Sequence, residues 1–396
     1  MRALTPITLA DLRLRNRVIK TATFEGMSPG GVPSAKLVEH HVALARGGVG
    51  MTTLAYCAVS PHGRTFADQL VMSAELVEQL RPLTEAVHAE GAAAAIQLGH
   101  CGGFSKDLEQ RRHSPPGPLG PSRAINLYGV LSGLVFTKKM GPAELDAVVE
   151  QFAIAAARAR EAGFDAIELH LGHGYLLSQF LSPAINRRRD QYGGSLDNRL
   201  RLPLRVVRAV REAVGPRVPI LCKTNLRDDI RGGLEVDESI EIARALEREG
   251  VDALVLSGGI VSKSAFYLLR GDRPLREMIA VENKPAQRMA LRLFGPQVIA
   301  AHPFEELFFL PLARQVRAAV NMPLCLLGGI VSRDNLETAM AEGFELAAMG
   351  RALIENPNFV RDLEAGLVTR SACTHCNVCV AEMDRGGVRC VLPRDA

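Results

Sequence analysis

Asp165 to Arg199 reads DAIELHLGHGYLLSQFLSPAINRRRDQYGGSLDNR. The run Asp165–Leu169 is apolar enough to be a strand buried on both faces. Two histidines, His170 and His173, and a tyrosine, Tyr175, follow directly. They therefore stand just past the C-terminal end of a strand, which is where a parallel α/β barrel builds its active site. His170 and His173 can both offer N–H donors to one oxygen, and Tyr175 can give a proton to a neighbouring carbon.

Working outward, strand-like runs alternate with helix-like ones. The predicted strands are Val18–Ala22, Met51–Tyr56, Ala92–Leu98, Asp165–Leu169, Pro219–Lys223, Asp252–Ser257, Pro323–Leu327 and Glu345–Met349. Their continuous apolar character indicates a parallel sheet covered on both faces. Amphipathic stretches lie between them, among them Glu144–Ala162, Arg199–Val214, Ser239–Gly250 and Asp334–Gly343; the last two end in glycine, a helix-stop signal. Eight β/α units in one chain predict a TIM (β/α)8 barrel rather than an open sheet. Two long βα insertions, Gly99–Gly141 and Gly258–Phe304, should shape a pocket or an interface. The expected organisation is a barrel over residues 1–355, with a C-terminal cysteine-rich tail over 356–396 packed on it.

The chain has 396 residues, is 47% hydrophobic and 23% charged, and carries a net charge of only +4. Such a balance gives no reason to expect a nucleic acid or a membrane as partner; a small-molecule substrate is what the active-site residues lead one to expect. No apolar run is long enough for a spanning helix, and the N-terminus lacks a signal-peptide core. A cytoplasmic setting is expected, and a homo-oligomer is left open. Cys57, Cys101, Cys222 and Cys325 are scattered and suit small buried hydrophobes. Cys373, Cys376, Cys379 and Cys390 form a Cys-x2-Cys-x2-Cys-x10-Cys pattern. Four thiolates so spaced can wrap a tetrahedral zinc or an iron–sulfur cluster.

The seventh predicted strand runs into Gly328-Gly329 and the eighth into Gly350-Arg351. Exposed backbone N–H groups and a fixed cation would make a phosphate site where barrels commonly hold one. On the dipeptides alone, the glycines can equally just turn the chain, and Gly350-Arg351 can just start a helix.

Taken together, these residues strongly resemble the old yellow enzyme family of FMN-dependent oxidoreductases. The His-x-x-His-Gly-Tyr motif, Gln-Phe-Leu, Asn-x-Arg, Tyr-Gly-Gly-Ser and Asn-Arg recur in order, and the resemblance runs along nearly the whole chain. It implies that Gly328, Gly329, Gly350 and Arg351 hold the FMN phosphate. Gln97 would pair with the flavin's carbonyl and N–H edge. Lys223, where the family usually has arginine, would face the pyrimidine edge and stabilise negative charge on reduction. Ala22 and Thr23 would pass beneath the flavin. Phe24 stands where relatives carry a Thr or Cys that tunes the flavin, a departure that bears on its reduction potential. The stretch from Asn186 to Arg199 is read as scaffolding.

The activity implied is NAD(P)H-driven reduction of an activated C=C bond. His170 and His173 would polarise the substrate carbonyl while Tyr175 protonates the α-carbon. The cysteine spacing resembles the 4Fe–4S motif of trimethylamine dehydrogenase and, with one residue's difference, that of 2,4-dienoyl-CoA reductase; zinc or a vestigial free-thiol site is the alternative. Those relatives continue into a nucleotide-binding module, and this sequence stops six residues after Cys390. The alternative activity is a flavin-dependent amine dehydrogenase or demethylase, against which the His-His-Tyr set speaks. A non-redox barrel lyase or isomerase using the same phosphate site is the rival from another class.

Overall fold

The computed structural model describes residues 1–392; residues 393–396 of the tail assigned above lie outside them. Eight parallel strands close a barrel in chain order: β1 (Val18–Lys20), β2 (Met51–Ala58), β3 (Ala93–Gly99), β4 (Ala166–Leu171), β5 (Ile220–Asn225), β6 (Ala253–Ser257), β7 (Leu324–Leu327) and β8 (Leu346–Met349). Each predicted strand forms, with ends shifted by a few residues. Closure comes from β8 pairing with β1, Ala347 opposite Val18 and Met349 opposite Lys20.

The outer ring consists of α1 (Ala35–Arg46), α2 (Ala74–Ala89), α3 (Pro142–Glu161), α4 (Leu196–Val214), α5 (Val236–Arg248), α6 (Leu310–Arg317), α7 (Arg333–Ala341) and α8 (Phe359–Glu364). Four of these start on a serine, Ser34, Ser73, Ser195 or Ser332, whose hydroxyl accepts the N–H three residues on. Each such cap satisfies a donor that the helix cannot, worth about 1 kcal/mol.

Strand alternation separates two apolar layers. Outward residues such as Val18, Leu54, Ile96 and Ile167 pack on the helices. Inward residues such as Ile19, Met51, Ala95, Ala166, Leu221 and Val255 fill the barrel. An N-terminal hairpin, Ile7–Leu9 paired with Leu12–Leu14, adds Leu9 and Leu14 to that inner layer. Along β3, β4, β5 and β6 the inward positions then turn polar: Ala95 gives way to Gln97, Ala166 to Glu168 and His170, Leu221 to Lys223, Val255 to Ser257. This gradient makes the C-terminal end of the barrel the chemical end.

The first insertion forms a small three-stranded sheet from Leu119–Gly120, Ala124–Ile125 and Phe136–Lys139. The second holds three helices, Val261–Leu269, Leu275–Val281 and Pro285–Val298. No helix among the described residues is long and apolar enough to cross a membrane.

Candidate active site

β4 delivers Glu168 and His170 to the interior on alternate residues. His170 is buried, and its Nδ1 has no partner among the described residues. The chain then turns through His173, which sits at φ 62°. Its backbone N–H donates to Asn225 Oδ1 at 3.0 Å, which fixes the turn against β5. Its Nε2 lies 2.7 Å from Ser257 Oγ at the end of β6. The two imidazoles stand edge to face, with ring centres 4.9 Å apart. Burial, then His173 and Lys223, holds His170 well below the usual histidine value; burial and Lys223 hold His173 at about 3. Both rings are therefore neutral at physiological pH, and each can present one N–H donor.

The Tyr175 ring lies 4.5 Å from that of His170 and 4.9 Å from that of Tyr56. Burial pushes the Tyr175 phenol above its ordinary value, so it keeps its proton at neutral pH. Tyr175, Tyr56 and Phe104 are buried, and Phe24, Phe66 and Tyr128 pack around them. These rings form an aromatic chamber beside His170.

Deeper in the barrel, Lys223 Nζ meets Glu168 Oε1 at 2.9 Å and Thr21 Oγ1 at 3.1 Å. Gln97 Nε2 donates to the same Glu168 oxygen at 2.6 Å. Gln97, expected at the flavin's carbonyl and N–H edge, and Lys223, expected at its pyrimidine edge, are thus joined through a carboxylate, Glu168, that the sequence did not single out. Its signal was available: a charged residue two positions before His170 shares that residue's face. Asn225, Ser257 and Tyr56 were missed as well, since nothing local marks them.

Gly328 and Gly329 adopt φ 101° and 75°. A Cβ on Gly328 would stand 2.6 Å from the Phe309 ring, and one on Gly329 2.6 Å from Glu305 O and Leu307 N. Close packing against residues 305–309 thus demands glycine here whatever is bound. Arg351 Nη1 donates at 2.7 Å both to Arg270 O and to Asn377 Oδ1, linking the second insertion to the tail. For a flavin the fit rests on the orphaned Thr23 Oγ1 and His170 Nδ1 and on the polar interior residues Gln97 and Lys223.

The tail crosses this end of the barrel. His375 stacks on Phe304 with centres 3.4 Å apart, and Asn377 Nδ2 donates to Asp272 O. Val388 N donates to Glu25 O at 2.7 Å, just past β1. All eight cysteines are free; Cys57, Cys101, Cys222 and Cys325 are buried as expected. Cys373, Cys376 and Cys379 all act electrostatically on the Arg351 guanidinium. Among the described residues no group of three or more His, Cys, Asp or Glu stands in metal-holding geometry. The four tail cysteines are a soft-donor set of suitable type, not an assembled metal centre. The Asn186–Arg199 stretch is scaffolding in its contacts: Asn186 Nδ2 donates to Phe180 O and Tyr192 O, Arg188 to Pro121 O and Met140 O, and Arg199 pairs with Glu238.

Comparison with known proteins agrees with this geometry. A 4,4'-dithiodibutanoate disulfide reductase of Rhodococcus erythropolis is 46% identical over 394 residues, covering 99% of this chain and 94% of the relative. An NADH oxidase of Thermoanaerobacter brockii is 30% identical over 93% of this chain, which spans only 52% of that relative. The old yellow enzyme homologue of Zymomonas mobilis superposes with a TM-score of 0.72 at 20% identity, over 95% of this chain and 96% of that one, which bears on the fold. Residues 3–264 match the profile of the NADH:flavin oxidoreductase / NADH oxidase family. The chain belongs to that family, that of the FMN-type, NAD(P)H-linked oxidoreductases with an old yellow enzyme barrel.

Proposed function

We propose that the chain reduces an activated C=C bond with electrons from NAD(P)H. The observation that carries this reading is the pairing of two neutral imidazoles, buried His170 and half-buried His173, with a protonated phenol, its ring 4.5 Å from that of His170. FMN, when bound, supplies the hydride. Gln97 and Lys223 would hold its ring, Ala22 and Thr23 would lie beneath it, and Gly328, Gly329, Gly350 and Arg351 would hold its phosphate. His170 and His173 donate hydrogen bonds to the substrate carbonyl oxygen, and Tyr175 protonates the α-carbon. Cys373, Cys376, Cys379 and Cys390 would close on a 4Fe–4S cluster or zinc, the tail acting as an extension of a barrel domain. Iron, sulfide and zinc assays on anaerobically purified protein test that assignment; fewer than one centre per chain overturns it. Eight free thiols favour a reducing, cytoplasmic setting.

The test of the catalytic assignment is Tyr175→Phe in stopped flow. Flavin reduction by NAD(P)H should be spared. Reoxidation by an enone should slow by about a hundredfold or more. A variant slowed in the first half-reaction and unchanged in the second would refute the proton-donor role.

A second reading follows from the relative named for 4,4'-dithiodibutanoate. Reduction of a disulfide would consume one NAD(P)H and one proton and release two thiols. A thiolate leaves readily, with a thiol value near 8.5. Tyr175→Phe should then leave reoxidation by the disulfide nearly unchanged, which separates the two chemistries.

A further inference from the structure

The aromatic chamber has a charged outer end that the chemistry above does not use. From Tyr175 the rings step outward through Phe104, at 5.6 Å, to Tyr128, at a further 4.3 Å. A second file runs from Tyr175 through Tyr56 to Phe66, the last step 6.2 Å. Both files end at one ammonium: Lys106 Nζ lies 5.3 Å from the Tyr128 ring centre and 5.9 Å from that of Phe66.

The backbone that carries Lys106 is fixed. Its N–H donates to Thr65 O at 2.8 Å. Its neighbours Ser105 and Asp107 are both buried; Ser105 Oγ donates to Arg64 O, and Asp107 pairs with Arg64 at 2.9 Å. The Lys106 ammonium, in contrast, makes no ion pair within 4.0 Å among the described residues. The groups facing it are the Tyr128 phenol, Asp384 from the tail and Glu282 from the second insertion, with Asp68 acting on Asp384 in turn. Burial disfavours the charged lysine, but Tyr128 first, then Asp384 and Glu282, outweigh it, and neither carboxylate contacts the ammonium. A partly buried cation held by two rings and the Tyr128 phenol, with no carboxylate in contact, gains more from a contacting carboxylate than a solvated surface lysine would.

We propose that Lys106 is a specificity-determining residue that receives a carboxylate at the far end of the substrate, so that the site takes elongated, acyclic carboxylates whose reducible bond lies beside Tyr175. This rests on the reading of His170, His173 and Tyr175 as the reacting end. It holds for an alkene or a disulfide alike, because it concerns the other end of the molecule.

The test uses the flavin-loaded enzyme and two matched pairs: 4,4'-dithiodibutanoate with its dimethyl ester, and an acyclic enone bearing a terminal carboxylate with its methyl ester. Binding is read without NAD(P)H, from the change in flavin absorbance on titration. Turnover is measured separately, so failure of the catalytic reading stays distinguishable from failure of this one. The wild-type enzyme should bind each acid more tightly than its ester. Lys106→Met should weaken binding of the acids by roughly tenfold to a hundredfold, the worth of a charge-assisted contact, and leave the esters within about twofold. Asp384→Asn removes a competing charge from an exposed site and should tighten the acids alone. Equal loss for acid and ester in Lys106→Met, no loss for either, or no effect of Asp384→Asn on the acids would overturn the proposal.

Discussion

The pairs Lys20–Glu25 and Lys223–Glu168 have nearly the same geometry, 2.7 and 2.9 Å, and both are almost wholly buried. They lie on opposite faces of one sheet. Lys20 shares the outward face of β1 with Val18. Its partner Glu25 is enclosed by the Ala55 N–H and, 3.5 Å away, His41 of α1, whose Nδ1 lies 2.7 Å from Thr52 Oγ1. Lys223 and Glu168 face inward at the chemical end and share their remaining contacts with Gln97 and Thr21. The difference teaches that strand parity, not residue type, decides what a buried ion pair does. The outer pair ties β1, β2 and α1 together; the inner pair is aimed at whatever fills the barrel mouth.

The largest effect should come from breaking the outer pair. Glu25→Ala leaves a buried lysine uncompensated, and should cost about 3–5 kcal/mol of stability. Urea unfolding should show it, while the flavin content of the molecules that remain folded stays unchanged. A stable variant that has lost flavin would reverse the roles assigned to the two pairs.

The next effect is a dependence on acid. Burial alone would raise Glu25, but Lys20, His41 and His40 outweigh it and hold the carboxyl at about 2, below its usual 4.5. Its stabilisation is complete above pH 4.5 and is lost as pH falls toward 2. Burial, with Lys20 and His41, holds neighbouring His40 at about 3 instead of 6.5. The neutral ring is favoured in the fold, so stability is likewise lost from pH 6.5 down to 3. Unfolding midpoints should therefore fall from pH 6.5 downward. Glu25→Gln should flatten the segment below 4.5, and an unchanged slope there would show that the outer pair is not the acid-sensitive element.

The smallest effect is electrochemical and belongs to Lys223→Met. Like Glu25→Ala it breaks a buried pair and should destabilise the barrel, although Glu168 keeps its bond to Gln97; the readout is taken on folded protein. The flavin reduction potential should drop by on the order of tens of millivolts as the cation is lost. An unaltered potential, measured by dye equilibration, would remove Lys223 from the cofactor's edge.

Much of this architecture was legible in the sequence, for physical reasons. Strands covered on both faces are continuous apolar runs bounded by glycine and polar residues, so all eight could be marked. His170, His173 and Tyr175 were visible because they follow such a run. The same continuity hid the parity of Lys20: without alternation, a run does not say which residues point inward, whereas Glu168 could have been placed by its spacing from His170. The chamber of Tyr56, Phe104, Lys106 and Tyr128 is drawn from β2 and a long insertion, and only the closed barrel brings those segments together. The hairpin Ile7–Leu14 was missed because each of its strands has only three residues.

The bond from Val388 N to Glu25 O joins segments 363 residues apart in the chain, and β8 closes on β1 across a similar span. On the ribosome, β1 has no barrel neighbour on one side until β8 has left the exit tunnel. The segment just past β1 stays uncovered until residue 388 follows. The site that Thr23, Gln97, Lys223 and Arg351 are proposed to build is then assembled last. On that order, a cell that makes this protein faster than it makes flavin would accumulate finished barrels awaiting cofactor, not chains stalled halfway through folding.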